Sequence, residues 1–189
     1  MNARKDELTE SLIAYLLENG LADLSLRPLA AGTGTSARLL IYHFGSKEGL
    51  LTEVLEAMQT HVRKSFAQLL DKSSSDKRAK PPLKQFWNWA IADENYPYLK
   101  LLYELQILAI QNPDTYAQYL ERNTVNWLDL ALEALSPSGR TPALATLCTA
   151  VFDGLFIELM SSGDRKRTTR AIDYFIQMAT ESLASRPEA

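Results

Sequence analysis

The chain reads as all-α: a three-helix head built round a helix-turn-helix, joined by a long helix to a larger helical body. Three observations carry this. Apolar residues recur at three- and four-residue spacing along nearly the whole chain, and no stretch shows the strict alternation of a strand. Breakers such as Asn19-Gly20, Asn112-Pro113 and Gly163 fall between the periodic runs. Residues 25–51, SLRPLAAGTGTSARLLIYHFGSKEGLL, compress two short helices, a glycine turn and the start of a third helix.

Residues 3–19 form an amphipathic helix, with Leu8, Leu12, Ile13 and Leu16 on one face and Asn19-Gly20 as its stop. It covers the two short helices that follow, which bury too little alone. Leu21 and Leu24 close that small core. Ser25 is an N-cap candidate for a helix reaching about Thr33, with Leu26 and Leu29 on its apolar face. Pro28 falls in its first turn, where a missing N–H costs nothing, and Gly32 loosens its end. Gly34 supplies the freedom a tight turn needs. Ser36 caps the second helix, whose Leu40 and Phe44 lie four apart, and Ser46 caps the next, with Glu48 against its positive end. That third helix keeps helical spacing through Leu51, Val54, Leu55, Met58, Val62, Phe66, Leu69 and Leu70. It therefore runs on, unbroken, out of the head.

Residues 72–82, KSSSDKRAKPP, read as a solvated loop. Beyond it come five helical segments. Leu83, Phe86, Trp87, Ala90 and Ile91 stripe the first; Leu101, Leu102, Leu105, Leu108 and Ala109 the second; Tyr116, Leu120, Trp127, Leu128 and Ala131 the third. Residues 136–142 turn, with Pro142 suited to the first position of the next helix. Leu144, Leu147, Cys148, Val151, Phe152, Leu155, Phe156 and Leu159 give that helix a broader stripe than a surface helix needs, and small Ala150 and Gly154 allow close approach. The last helix turns Ile172, Phe175, Ile176, Ala179 and Leu183 inward. The expected division is residues 1–46 as the head and 47–189 as the body.

At 46% hydrophobic and 23% charged, the 189 residues belong to the globular class. The charged start from Arg4 onward does not read as a signal peptide, and the nearly apolar run 143–152 is too short to span a bilayer. A single cysteine, Cys148, fits a reducing cytoplasm. The expectation is a cytoplasmic protein without a membrane partner. His43 and His61 are the only histidines, which argues against a Cys/His metal site, and no cofactor is expected. Residues 32–37, GTGTSA, match G-x-G-x-x-A formally, but a helix and not a strand precedes them, so the match is a coincidence.

A helix-turn-helix lays its second helix in a DNA major groove, here residues 37–43. Net charge is −3, yet the acids of the first 47 residues (Asp6, Glu7, Glu10, Glu18, Asp23) all precede the motif, while Arg27, Arg38 and Lys47 lie within it. Arg38 can reach a guanine edge or a phosphate, and Tyr42 a phosphate or a thymine methyl. Arg27, Ser36, His43 and Lys47 suit phosphates, and Ala37 lies on the same face.

The same block is similar to the helix-turn-helix of TetR-family transcriptional regulators. Arg27, Leu29-Ala30, Gly34, Ser36, Leu40, His43-Phe44, Ser46-Lys47-Glu48 and Leu50-Leu51 carry the resemblance without a gap, over the first quarter of the chain. Ile41 stands where the family usually has a tyrosine, and Pro28 replaces a usual acidic residue. The resemblance implies DNA contact at the matched positions and ligand-responsive regulation, mainly repression, on double-stranded DNA. Activation is the alternative inside the family, and a helical enzyme or adaptor the alternative outside it.

Two further sites are expected in the body. Tyr103, Gln106, Tyr116, Asn123, Thr124 and Trp127 mix aromatic and polar groups as a pocket for a small apolar or aromatic effector would. The width of the penultimate stripe predicts a homodimer through Leu147, Val151, Leu155 and Leu159 with Ile172, Phe175 and Ala179. Two-fold symmetry then implies a near-palindromic operator.

Overall fold

The computed structural model describes residues 3–21, 24–73, 80–135 and 140–184, without the side chains of residues 72, 73, 124–126, 183 and 184. All regular structure among these residues is helical: α1 (Ala3–Asn19), α2 (Leu26–Gly32), α3 (Ala37–Phe44), α4 (Lys47–Ser73), α5 (Pro82–Ala90), α6 (Tyr96–Gln111), α7 (Ala117–Ala134), α8 (Pro142–Ser162) and α9 (Arg165–Ala184). The head's helices begin and end where the caps and glycines predict. Residues 74–79 of the expected loop and 136–139 of the expected turn lie outside the described residues.

The chain forms two compact units: residues 1–63 with 96–122, and residues 64–95 with 123–189. The first holds α1–α3, the leading part of α4, α6 and the start of α7. Its core is aliphatic: Leu8, Leu12 and Leu16 of α1, Leu29 of α2, Leu40 of α3, and Leu50, Leu51, Val54, Leu55, Met58 and Val62 of α4 are all buried, as are Leu99, Leu102 and Leu105 of α6. Helix α1 packs on both α2 and α6. Ile13 is only half-buried, at the margin of the α1 stripe. Gly32 has a firmer role than loosening a helix end: a Cβ there would stand 2.0 Å from Cδ2 of Tyr15. Only hydrogen lets the Tyr15 ring of α1 close on α2.

The second unit is aromatic. Phe86 of α5 lies with its ring centroid 4.6 Å from those of both Phe66 and Phe152, and 6.1 Å from that of Trp127. Trp87 is fully buried and its indole N–H donates to Oγ1 of Thr169 at 2.9 Å. Helix α5 thus packs against both α8 and α9, which also pack on each other. Ion pairs from Lys84 to Asp173 (2.5 Å) and from Arg165 to Asp93 (2.7 Å) flank that packing.

Helix α8 runs well beyond the nearly apolar stretch 143–152. Thr141 caps it, accepting from the Leu144 N–H at 3.2 Å, and Pro142 takes the first position as predicted. Counted across its 21 residues, it is long and apolar enough to cross a membrane, whereas the run 143–152 alone is not. Asp153 and Glu158 are its only charged residues. Its inner face, with Ala145, Phe152, Phe156 and Leu159 buried, is a protein core. The outer face is the unusual part, and it bears on assembly below.

Candidate nucleic-acid interface

The geometry of the head follows from a few backbone constraints. The α2–α3 turn is closed by N–H donors from Gly34 to Ala31 O (3.2 Å) and from Thr35 to Ala30 O (2.9 Å). Gly34 takes φ +65°, which a side chain would resist. Ser36 then caps α3, its Oγ accepting from the Leu39 N–H at 3.2 Å. Ser46 caps α4 in the same way, through the Gly49 N–H at 2.9 Å. Ser25 occupies the cap position of α2 with extended backbone, but its side chain makes no capping bond, unlike the sequence-based expectation. Pro28 explains part of this, since it removes one of the N–H groups a cap would satisfy.

These constraints turn α3 so that Leu40 and Phe44 are buried and the opposite face stands clear. Arg27, Ser36, Arg38 and Tyr42 are exposed; Ala37, His43 and Lys47 are half-buried. Tyr42 is 79% exposed, with its ring 5.1 Å from that of His43 in an edge-on contact. The Lys47 ammonium shares its charge with Glu48 at 4.0 Å. Ile41, also exposed, lies next to Tyr42 on the outer face. Nothing in the helix-turn-helix pattern marked Ile41 beyond its place at a usual tyrosine position. Lys5 was missed as well. It pairs with Glu53 and sits 5.5 Å from the Phe44 ring centroid, pinning α1 to the following helices.

The six effector candidates divide between the two units. In the first, Tyr103 and Gln106 are half-buried and Tyr116 is buried. Gln106 belongs to a short relay: Gln59 Nε2 donates to the Tyr119 hydroxyl at 2.6 Å, and that hydroxyl donates to Gln106 Oε1. Tyr119 and Gln59 escaped sequence reading because no local motif marks either, and the bond that joins them spans 60 residues of chain. Burial pushes the Tyr119 hydroxyl well above its usual range, with Glu56 adding to the rise and the Gln59 bond opposing it. Burial, and then the Glu48 charge, likewise raise Tyr116. In the second unit Asn123 is buried and Trp127 half-buried near Phe86, while the Thr124 side chain lies outside the described residues.

The assembly candidates divide by depth. Leu159 and Ile172 are buried in the core of their own unit, whereas Val151, Leu155, Phe175 and Ala179 are half-buried and Leu147 is half-exposed. The outward stripe is Leu147, Ala150, Gly154 and Ile157 on α8, and Ala171, Tyr174 and Met178 on α9. Their three- and four-residue spacing put them on one face of each helix. Ile157, Tyr174 and Met178 were not anticipated, because a helix apolar all round hides which side faces its own core. Cys148 is half-buried, and burial raises its thiol, which suits a packing role.

Residues 9–54 match the family described as bacterial regulatory proteins, tetR family. The HTH-type transcriptional repressor KstR2 of Mycobacterium tuberculosis is 29% identical over 75 residues, covering 40% of this chain and 38% of the relative. The matched stretch thus spans well under half the length of that curated relative. Among solved structures, a proposed transcriptional regulator from Pseudomonas aeruginosa PAO1 superposes with TM-score 0.73 at 19% identity, over 97% of this chain and 91% of the other. The multidrug binding protein EbrR complexed with ethidium gives TM-score 0.69 at 21% identity, over 92% and 98%. Fold and head together define a helix-turn-helix protein with an all-helical body. Over residues 9–54 the chain is similar to the TetR family, and its helical fold is shared with the solved regulators above.

Proposed function

We propose that this chain is a ligand-responsive transcriptional regulator that represses by binding a near-palindromic operator and leaves it when a small molecule binds. The observation that carries this reading is the outer face of α3. It is capped, open and free of acidic residues, and it lies inside the segment that matches the family. Arg27, Ser36, Ala37, Arg38, Tyr42, His43 and Lys47 form the DNA-contacting set, with residues 1–46 as the reading head and 47–189 as the ligand-binding and dimerisation body. The KstR2 match supports repression as the sign of control.

The homodimer assembles through α8 and α9, and the outward stripe of apolar residues on both helices supports it. Such a dimer sets its two recognition helices one helical turn of DNA apart, about 34–36 Å. The effector is an apolar or aromatic compound. The fold shared with EbrR, solved with ethidium and with proflavin, is consistent with this class. Tyr103, Gln106, Tyr116, Asn123, Thr124 and Trp127 remain the contacts proposed for it. Helix α4 supplies the mechanical link, because it is continuous from its cap at Ser46 beside the head to Ser73. The protein works in the cytoplasm, with no membrane partner.

Selecting duplexes from a random pool with the purified chain tests the reading. Enrichment of a two-fold symmetric sequence, lost on adding an aromatic effector, is the expected result. No enrichment at low salt would overturn it.

A further inference from the structure

On the outer face of α3 the residues open to a partner are Arg38, Ile41 and Tyr42, with Ala37 half-buried beside them. Their spacing puts them on one side of a helix whose other side, Leu40 and Phe44, is core. Ile41 is the anomaly among them. It is 38% exposed, and its backbone carbonyl is already committed to the Gly45 N–H at 2.8 Å. Its side chain has no donor or acceptor, so it can bond neither a phosphate nor a base nitrogen or oxygen. Next to it the Tyr42 ring is engaged edge-on with His43. From Leu24 to Lys47 the chain carries Arg27, Arg38 and Lys47 and no acid, a charge complement to a polyanion.

We propose that Ile41 is a specificity-determining residue that packs against the C5-methyl of a thymine, so that each operator half-site holds a thymine at one required position. The thymine methyl is the apolar feature that distinguishes one base pair from the others in the major groove. An aliphatic side chain on a groove-facing helix therefore has one base to recognise. The inference rests on the proposed DNA-binding function, and it specifies the base class that the recognition helix takes.

The test uses the intact chain and the operator selected from the random pool. Each thymine of the half-site is replaced singly by deoxyuridine, which deletes the methyl and leaves the hydrogen-bonding edges unchanged. One position is expected to weaken binding about fourfold per half-site, the effect of returning one methyl-sized apolar contact to water. Ile41→Ala should bind the thymine and deoxyuridine forms equally at that position, and Ile41→Val should keep most of the difference. Because Ile41 is exposed, these variants leave the core intact. A thymine-to-deoxyuridine loss that persists undiminished in Ile41→Ala assigns the methyl to another residue and overturns the proposal. Equal binding of all deoxyuridine forms by the unaltered chain also overturns it, while leaving DNA binding standing. If no operator is selected at all, the functional reading fails first and this inference with it.

Discussion

Ser36 and Gly32 show how much of the head depends on single atoms. The Ser36 hydroxyl satisfies one of the orphan N–H groups that start α3, so Ser36→Ala should cost about 1 kcal/mol in denaturant unfolding. Gly32→Ala sets a methyl against the Tyr15 ring and should cost about 1–3 kcal/mol, as overpacking does. In a Tyr15→Ala background the same change should cost clearly less, because the two sites share one contact. Equal costs in both backgrounds would mean that the ring is not what keeps residue 32 a glycine. On DNA, Arg38→Ala should lose about 1–3 kcal/mol and relax preference at one base pair per half-site. Lys47→Ala should weaken all sequences alike and lower the log–log salt slope by about 1. Operator titrations at several salt concentrations distinguish the two roles.

Among the elements, α4, α6 and α7 are tied by a polar relay set in apolar surroundings. Gln59, Tyr119 and Gln106 meet through one hydroxyl. Tyr119→Phe removes the hydroxyl that both amides bond, which should cost about 1–3 kcal/mol. Replacing Gln59 by leucine in the same chain should recover part of the loss, since the buried amide goes too. The relay also has a pH signature. Burial raises the Tyr119 hydroxyl above its ordinary 10.0 in the folded chain, so the neutral form is favoured there. Its contribution to stability is complete below pH 10.0 and falls away as the pH climbs further, because the unfolded chain releases that proton first. Unfolding measured on both sides of that pH should show a shallower alkaline decline in Tyr119→Phe than in the unaltered chain.

For the whole molecule, the proposed dimer puts the outer side of α8 against a second copy. Leu159 is 1% exposed and Ile172 fully buried, so charges there test folding and not assembly. Ile157 and Leu147 face outward and test assembly directly. Ile157→Glu should leave the helical circular-dichroism signal and thermal midpoint nearly unchanged while sedimentation shifts from dimer to monomer. Operator affinity should fall with it, because a monomer engages only one half-site. A dimer that survives Ile157→Glu and Leu147→Glu together would move the interface elsewhere.

The head was legible in the sequence because its determinants are local. A serine cap, a glycine turn and apolar residues four apart specify α2 and α3 within a few residues of one another, and the unbroken helical spacing of apolar residues along α4 shows its continuity. The same local signals gave every helix of the body its place in the chain, from Pro142 at the start of α8 to Gly163 at its end. They could not say why Gly32 must lack a side chain, since Tyr15 reaches it from another helix. Nor could they separate Leu159 from Ile157, because a helix that is apolar on every side carries no period to tell core from surface. Gln59 and Tyr119 carry no signal of their partnership until the fold brings α4 and α7 together. Helix boundaries depend on neighbours along the chain, whereas burial and polar partnership depend on residues distant in sequence, and only the tertiary structure decides which of those meet.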